Sequence, residues 1–138
     1  MRNRKRFNLM KAVAVFIFVF GLLSLKSGGS VLFIEDARIA AGNIVPFIVW
    51  FNVLAVPLYL VGAIAVWREE RYGQRLMTLL FVAFLAADAY LIYHVQSGGL
   101  FEMRTVYAMT FRTVLFGGVA LLLNFSAKSR GVADQPTG

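Results

Sequence analysis

The segment MRTVYAMTFRTVLFGGVALLLNF, residues 103–125, decides the class of protein to which the chain belongs. It is long enough to cross a bilayer, because a helix that rises about 1.5 Å per residue needs about 20 residues for a hydrocarbon core of about 30 Å. Yet it carries Arg112 near its middle. A charge in that position costs at least about 2.5–3.5 kcal/mol if it faces lipid. We therefore expect Arg112 to face the interior of a helical bundle and to find a partner there.

Three further apolar blocks precede this segment, at residues 9–25, 44–67 and 76–95. The 138-residue chain is 59% hydrophobic, which is more apolar surface than a soluble domain of this size can bury. The sequence therefore predicts an all-α fold, a polytopic membrane four-helix bundle over residues 9–125. A basic tail at residues 1–8 precedes the bundle, and a polar tail at residues 126–138 is predicted to be disordered.

The first apolar block has two interpretations. Its basic start, MRNRKR, and its short apolar run are typical of a signal peptide, but the following SLKSGGS contains no small-x-small site ending in alanine. We favour a retained helix that is supported by snorkelling Lys11 and Lys26. The next segment, VLFIEDARIAAGN, is predicted either as a short amphipathic helix on the membrane surface or as an ordered loop over the bundle.

The basic residues predict the orientation of the bundle. Ten of the 14 Lys and Arg residues fall in the N-terminal tail, the loop at 68–75 and the C-terminal tail, whereas three fall on the opposite side. Because Lys and Arg are enriched in cytoplasmic loops, both termini are predicted to lie in the cytoplasm, with the bundle in the inner membrane. The net charge of +7 lies beside the apolar blocks, which indicates contact with anionic lipid and not with nucleic acid.

Three polar residues are expected at one depth in the bundle. Asn52, Asp88 and Arg112 each lie about 11–13 Å from the same predicted boundary, if the helices rise about 1.5 Å per residue. An arginine fork can hold a carboxylate through two hydrogen bonds. We therefore predict a buried polar cluster in which Arg112 pairs with Asp88, and Asn52 is the third member.

A second polar tier is predicted nearer the outer face. It consists of His94, Gln96, Glu102 and Arg104, around the tight QSGG turn between the third and fourth blocks. Arg104 and Arg112 are eight residues apart and share one stripe of their helix, so a polar track could run inward from the surface. Three hypotheses follow: a structural clamp that fixes helix register, an outward-facing site for a small ligand or headgroup with an anionic group, and a proton relay, which the absence of charged residues deeper in the bundle disfavours.

The residue types exclude several kinds of chemistry. There is no cysteine, and the single histidine excludes paired-histidine haem ligation within one chain. We find no nucleophile elbow, phosphate-binding loop or metal-ligand spacing. The sequence therefore predicts no catalytic residue, no metal and no cofactor.

Two motifs resemble a group of small bacterial inner-membrane proteins with four predicted helices. They are GNIVPFIVWFN at residues 42–52, of the form G-x-x-V-P-F-x-x-W-F-N, and the R-T-x-x-A-M-T-x-R-T stretch within GGLFEMRTVYAMTFRTV at 98–114. The resemblance implies that Asn52, Arg104 and Arg112 belong to a shared pattern. Many members have histidine where this chain has Asn43. A looser similarity to DoxX-type membrane proteins implies an accessory role around redox or respiratory complexes.

These observations favour a non-enzymatic function. The first hypothesis is an accessory or assembly subunit whose bundle is held in register by Asp88, Arg112 and Asn52, and which meets a membrane protein partner or a second copy of itself. The alternative is a small-ligand binding protein or transporter component, with an outward-facing site for an anionic group. An enzyme is the third and weakest hypothesis.

Overall fold

The fold is helical throughout the part of the chain that the computed structural model describes, residues 2–68 and 71–133. The helices are α1 (Arg2–Phe33), α2 (Glu35–Ala41), α3 (Pro46–Trp67), α4 (Arg71–Gln96) and α5 (Met103–Ala133). All except α2 are long and apolar enough to cross a membrane. The predicted all-α four-helix bundle is confirmed, and the chain is a multi-pass membrane protein.

Helix α1 is longer than the first apolar block predicts. It begins within the basic tail and continues through Ser27, Gly28 and Gly29 to Phe33, instead of ending near residue 25. Gly28 lies so close to α3 that a Cβ atom there would stand 2.6 Å from the Val53 side chain. Contact with α3 therefore extends α1 past the end of its hydrophobic run, because tertiary contact overrides the weak helix propensity of glycine.

Helix α5 also continues beyond its predicted end, from Phe125 to Ala133. The added residues include alanine, lysine and arginine, which favour helix, and no proline occurs between Phe125 and Pro136. Arg6 of α1 donates a hydrogen bond to the Ser126 carbonyl at the start of this extension. The predicted disorder is therefore wrong for residues 126–133, and residues 134–138 lie outside the described part.

Each spanning helix runs antiparallel to the next, with α1 against α3, α3 against α4, and α4 against α5. Glycines bring α4 close to both neighbours: Gly73 faces the Val66 backbone of α3, and Gly117 of α5 faces the Phe81 ring of α4. Four antiparallel spans put both chain termini on one side of the bundle, the termini side. Helix α2 and the turn between α4 and α5 lie on the other, the loop side.

Aromatic rings fill the centre of the bundle, and each of the four spans contributes one. Phe84 of α4 and Phe116 of α5 stack with ring centroids 5.5 Å apart, and Tyr59 of α3 stacks on Phe116 at 4.8 Å. Phe20 of α1 packs against both Tyr59 and Phe116. Each such pair stabilises the bundle by about 0.5–1.5 kcal/mol beyond the burial of its area.

The segment after α1 forms a short helix, which agrees with the helical character of the first of its two predicted forms, although residues 31–33 belong to α1. Helix α2 has no buried residue, and its Arg38 pairs with Glu35 at the surface. Many large apolar side chains on the four spans are likewise exposed on the outside of the bundle. This outer surface is the part of the protein that contacts lipid.

Candidate binding site around Arg112

Asp88 binds a threonine and not the arginine that the sequence suggested. The Thr113 hydroxyl donates to the Asp88 carboxylate over 2.5 Å. No nitrogen of Arg112 lies within 4.0 Å of that carboxylate, so the predicted ion pair is wrong. Successive residues of a helix point about 100° apart, and Thr113, not Arg112, occupies the face of α5 that meets α4. Asp88 meets α5 at the predicted depth, because its partner Thr113 is adjacent to Arg112. The direction predicted for the Arg112 side chain is wrong, because it does not point towards Asp88.

Arg112 points instead towards the aromatic rings of α1 and α3. Its guanidinium carbon lies 5.6 Å from the centroid of the Phe20 ring, and one terminal nitrogen donates to the Ala108 carbonyl at 3.1 Å. The Tyr59 ring packs against the same Phe20 ring, with the two centroids 6.1 Å apart. A cation over a ring in a desolvated place gains about 2 kcal/mol or more. The aromatic face therefore holds the charge in the position where a carboxylate was expected.

Three buried side-chain polar atoms of the bundle have no hydrogen-bond partner among the described residues. They are Nε of Arg112, the hydroxyl of Tyr59 and Oδ1 of Asn52. The predicted third member of the cluster, Asn52, is thus bonded neither to Asp88 nor to Arg112 through that oxygen. Each unsatisfied group costs about 1–3 kcal/mol. The site therefore combines a cation that has no carboxylate partner with hydrogen-bonding groups that are not used.

The arginine lies beside the least tightly packed seam of the bundle, between α1 and α5. The backbones of these two helices approach each other far less than those of the other neighbouring pairs. Side chains bridge the seam instead, with the Phe20 and Phe111 ring centroids 5.9 Å apart. Phe111 is exposed on the outer surface, whereas Arg112 is part-buried. Aromatic side chains therefore line the seam next to the guanidinium.

The predicted outer tier does not lead to Arg112, because two of its members fasten a loop. Glu102 accepts hydrogen bonds from the backbone nitrogen of Asn43 at 3.0 Å and from its side-chain nitrogen at 3.2 Å. Arg104 donates to the Ala41 carbonyl at 3.1 Å. Between these contacts lies Gly42, whose φ of +76° favours glycine. Glu102 and Arg104 thus attach the start of α5 to the connection between α2 and α3.

The other two members of the tier stand apart from this fastening. The His94 ring nitrogen Nε2 lies 3.1 Å from the Leu100 carbonyl, with which it closes the turn between α4 and α5. Gly99 leaves room for the His94 ring, because a Cβ atom at residue 99 would displace that ring from its present position. Gln96 is exposed. The tier therefore consists of a loop fastening, a turn closure and a surface amide, and does not form one site.

A polar contact on the termini side was not predicted. Gln74 donates to the Asn124 side-chain oxygen over 2.5 Å, and Asn124 donates to the Ala120 carbonyl over 2.7 Å. Asn124 lies at the end of the apolar block at 103–125, and Gln74 lies just before the block at 76–95. From the sequence, each is a polar residue at the end of a span. Gln74 and Asn124 lie at a similar distance from the termini side, and this common depth could have predicted their contact.

No metal-ligand group of three histidine, aspartate or glutamate side chains comes together within residues 2–68 and 71–133. No protein-family model, curated protein or solved structure matches the chain. The resemblance carried by the two motifs therefore stays a prediction. Among the residues that this resemblance implies are shared with the group, Asn52 and Arg112 each have a buried polar atom without a hydrogen-bond partner. Arg104 bonds the connection between α2 and α3.

Proposed function

We propose that this protein is a non-enzymatic membrane protein that binds an anionic group at Arg112. The observation that carries the proposal is the part-buried guanidinium, which has no carboxylate within 4.0 Å among the described residues and a buried Nε without an acceptor. A charge held in this way inside a bundle is expensive, and charged residues within spans usually mark functional sites. An anionic ligand would neutralise it.

The chemistry of the site favours a carboxylate or a phosphate oxygen on an apolar body. The guanidinium presents a planar fork of N–H donors, and the Tyr59 hydroxyl is a further unused donor. The Phe20 ring lies beside the guanidinium, with its centroid 5.6 Å from the guanidinium carbon. The aromatic seam between α1 and α5 faces lipid, which favours a ligand that approaches from the bilayer.

The orientation follows from the basic residues, as the sequence predicts. With the termini side in the cytoplasm of a bacterial inner membrane, Arg112 lies about 13 Å from the opposite surface, nine residues into α5. The ligand then binds in the outer half of the bilayer. This position agrees with the hypothesis of an outward-facing site, although access is proposed through the seam and not through the outer polar tier.

Oleate is a suitable probe, with oleyl alcohol as the uncharged ligand of matched chain length. We expect oleate to raise the unfolding temperature of the protein in a neutral detergent, since a ligand at 100 times its Kd stabilises by about 2.7 kcal/mol. Arg112→Met should reduce that rise, and Arg112→Lys should keep more of it than Arg112→Met does. Arg38→Gln, which changes a surface arginine of α2, should behave as the wild type.

Two results would contradict the proposal. One is an equal rise in unfolding temperature with oleate and with oleyl alcohol, which would show that the charge is irrelevant. The other is an undiminished rise with oleate in Arg112→Met. Native mass spectrometry of the same samples counts bound oleate directly, so a change in the stability of the free protein cannot imitate a change in binding.

An accessory or assembly subunit remains the second candidate, and the loop side favours it. Phe33, Ile39 and Leu100 are 75%, 68% and 72% exposed there. Apolar side chains in such positions are commonly covered by a partner or by the membrane surface. A photo-crosslinking residue in place of Leu100 should trap a membrane protein if this candidate is right, and the same residue in place of Leu79, a lipid-facing position of α4, should not.

A further inference from the structure

A groove runs between α1 and α3 in the half of the bundle nearest the termini side. It consists of two adjoining cavities of about 210 and 580 Å³ that share Val15 and Trp67 in their linings. Ala14 and Ala63 face each other across the helix contact in the smaller cavity. Their small side chains leave the space that larger residues would fill. The groove is thus an apolar trough that opens onto lipid.

A lysine lies at the end of this trough. Lys11 lines the larger cavity, and its ammonium lies 4.0 Å from the centroid of the Phe7 ring and 4.8 Å from that of Trp67. Within residues 2–68 and 71–133, no carboxylate oxygen lies within 4.0 Å of this ammonium. The exposed side chains of Arg4 and Lys5 precede it on the same helix. Positive charge is therefore concentrated where the apolar trough ends.

We propose that this groove binds an anionic phospholipid, with the phosphate on Lys11 and one acyl chain in the trough between α1 and α3. The charge distribution favours this occupant, because the trough is apolar along its length and basic at one end, as a lipid is apolar along its chain and acidic at its head. Trp67 beside Lys11 belongs at the headgroup level, where tryptophan is enriched. Basic residues at this level attract anionic lipid.

This site is distinct from the one proposed at Arg112. The lipid groove lies between α1 and α3, and the Arg112 seam lies between α1 and α5. Lys11 and Phe20 are nine residues apart on α1, which is more than two turns. Failure of one proposal therefore leaves the other intact.

The test compares retention of phosphatidylglycerol and phosphatidylcholine by the detergent-solubilised protein in native mass spectrometry. The wild type should retain phosphatidylglycerol preferentially. Lys11→Gln should weaken that retention about five-fold and leave phosphatidylcholine unchanged, whereas Lys11→Arg should keep the preference. Lys26→Gln is the matched control, since Lys26 is an exposed lysine on the distal half of α1.

A second pair of variants tests the trough itself. Val15→Trp places a bulky ring in both cavities from an exposed position, so it should reduce retention of phosphatidylglycerol without disturbing the core. Val61→Trp makes the same change at an exposed position of α3 outside the trough and should have no effect. Wild-type retention in Lys11→Gln, or equal retention in the two tryptophan variants, would overturn the proposal.

Discussion

The environment of Arg112 depends on which of two neighbouring residues faces α4. Thr113 is buried and bonds Asp88, so Arg112 is turned away towards Phe20 and Tyr59. A short hydroxyl can bond the carboxylate within a tight contact between helices, whereas a guanidinium would need more room. As a result, the Asp88 carboxylate accepts a hydrogen bond from a neutral hydroxyl, and the Arg112 guanidinium lies beside aromatic rings. Each charge is therefore held separately.

This separation predicts how substitutions combine. Thr113→Val should lower the free energy of unfolding by about 1–3 kcal/mol, because the Asp88 carboxylate loses its donor. A double-mutant cycle should show strong coupling between residues 88 and 113. Residues 88 and 112 should be close to additive, within about 0.5 kcal/mol. Detergent unfolding curves of the single and double variants measure both. Recovery of stability when Arg112→Leu is added to Asp88→Ala would show that the two charges are paired after all.

At the scale of helices, close approach depends on glycines that face a neighbour. A Cβ atom on Gly73 would stand 2.8 Å from the Val66 backbone nitrogen, and backbone atoms cannot move aside as a flexible side chain can. Gly118, in contrast, is exposed and has nothing within 4 Å of such an atom. The same residue type thus has a packing role in α4 and none at this position in α5.

The two glycines form a matched pair for substitution. Gly73→Ala should destabilise the bundle by about 1–3 kcal/mol, since α3 and α4 must move apart to admit the methyl group. Gly118→Ala should be neutral or slightly stabilising, because alanine is the better helix former. Thermal unfolding in the same detergent compares them. Equal effects at both positions would mean that the contact between α3 and α4 is not tight.

The whole molecule is a closed bundle of four antiparallel spans. The contact between the first span, α1, and the last, α5, is the loosest of its four contacts. This arrangement puts both termini on one side whatever the orientation in the membrane. The excess of lysine and arginine on that side predicts that it faces the cytoplasm. Because the chain contains no cysteine, single cysteines can report the orientation without further changes.

Ser97→Cys and Ala127→Cys, both at exposed positions, should label differently with a membrane-impermeant maleimide. Ser97→Cys lies on the loop side and should react in intact spheroplasts. Ala127→Cys lies on the termini side and should react only after the membrane is permeabilised. The reverse pattern would place the termini outside and would move the Arg112 site to the inner half of the bilayer.

Hydropathy and helical rise predicted the spans and the common depth of Asp88 and the middle of α5, because both depend on distance along a helix axis. They did not predict which way each side chain points, since that depends on how neighbouring helices rotate about their axes. The lengths of α1 and α5 were missed for a related reason. Gly28 stays helical through its contact with Val53, and Arg6 donates a hydrogen bond to the Ser126 carbonyl. Neither contact can be predicted from the residues next to it in the sequence.

The position of the cation in the last span has a consequence for biosynthesis. Helices are made in chain order, so Phe20 and Tyr59 are already in place when α5 leaves the ribosome. The rings that contact the guanidinium are therefore made before Arg112 is. Arg112 can contact them as soon as α5 enters the membrane, so its charge is not exposed to lipid alone. We expect α5 to insert efficiently behind the three earlier spans and poorly on its own, a difference that insertion assays on nested truncations would measure.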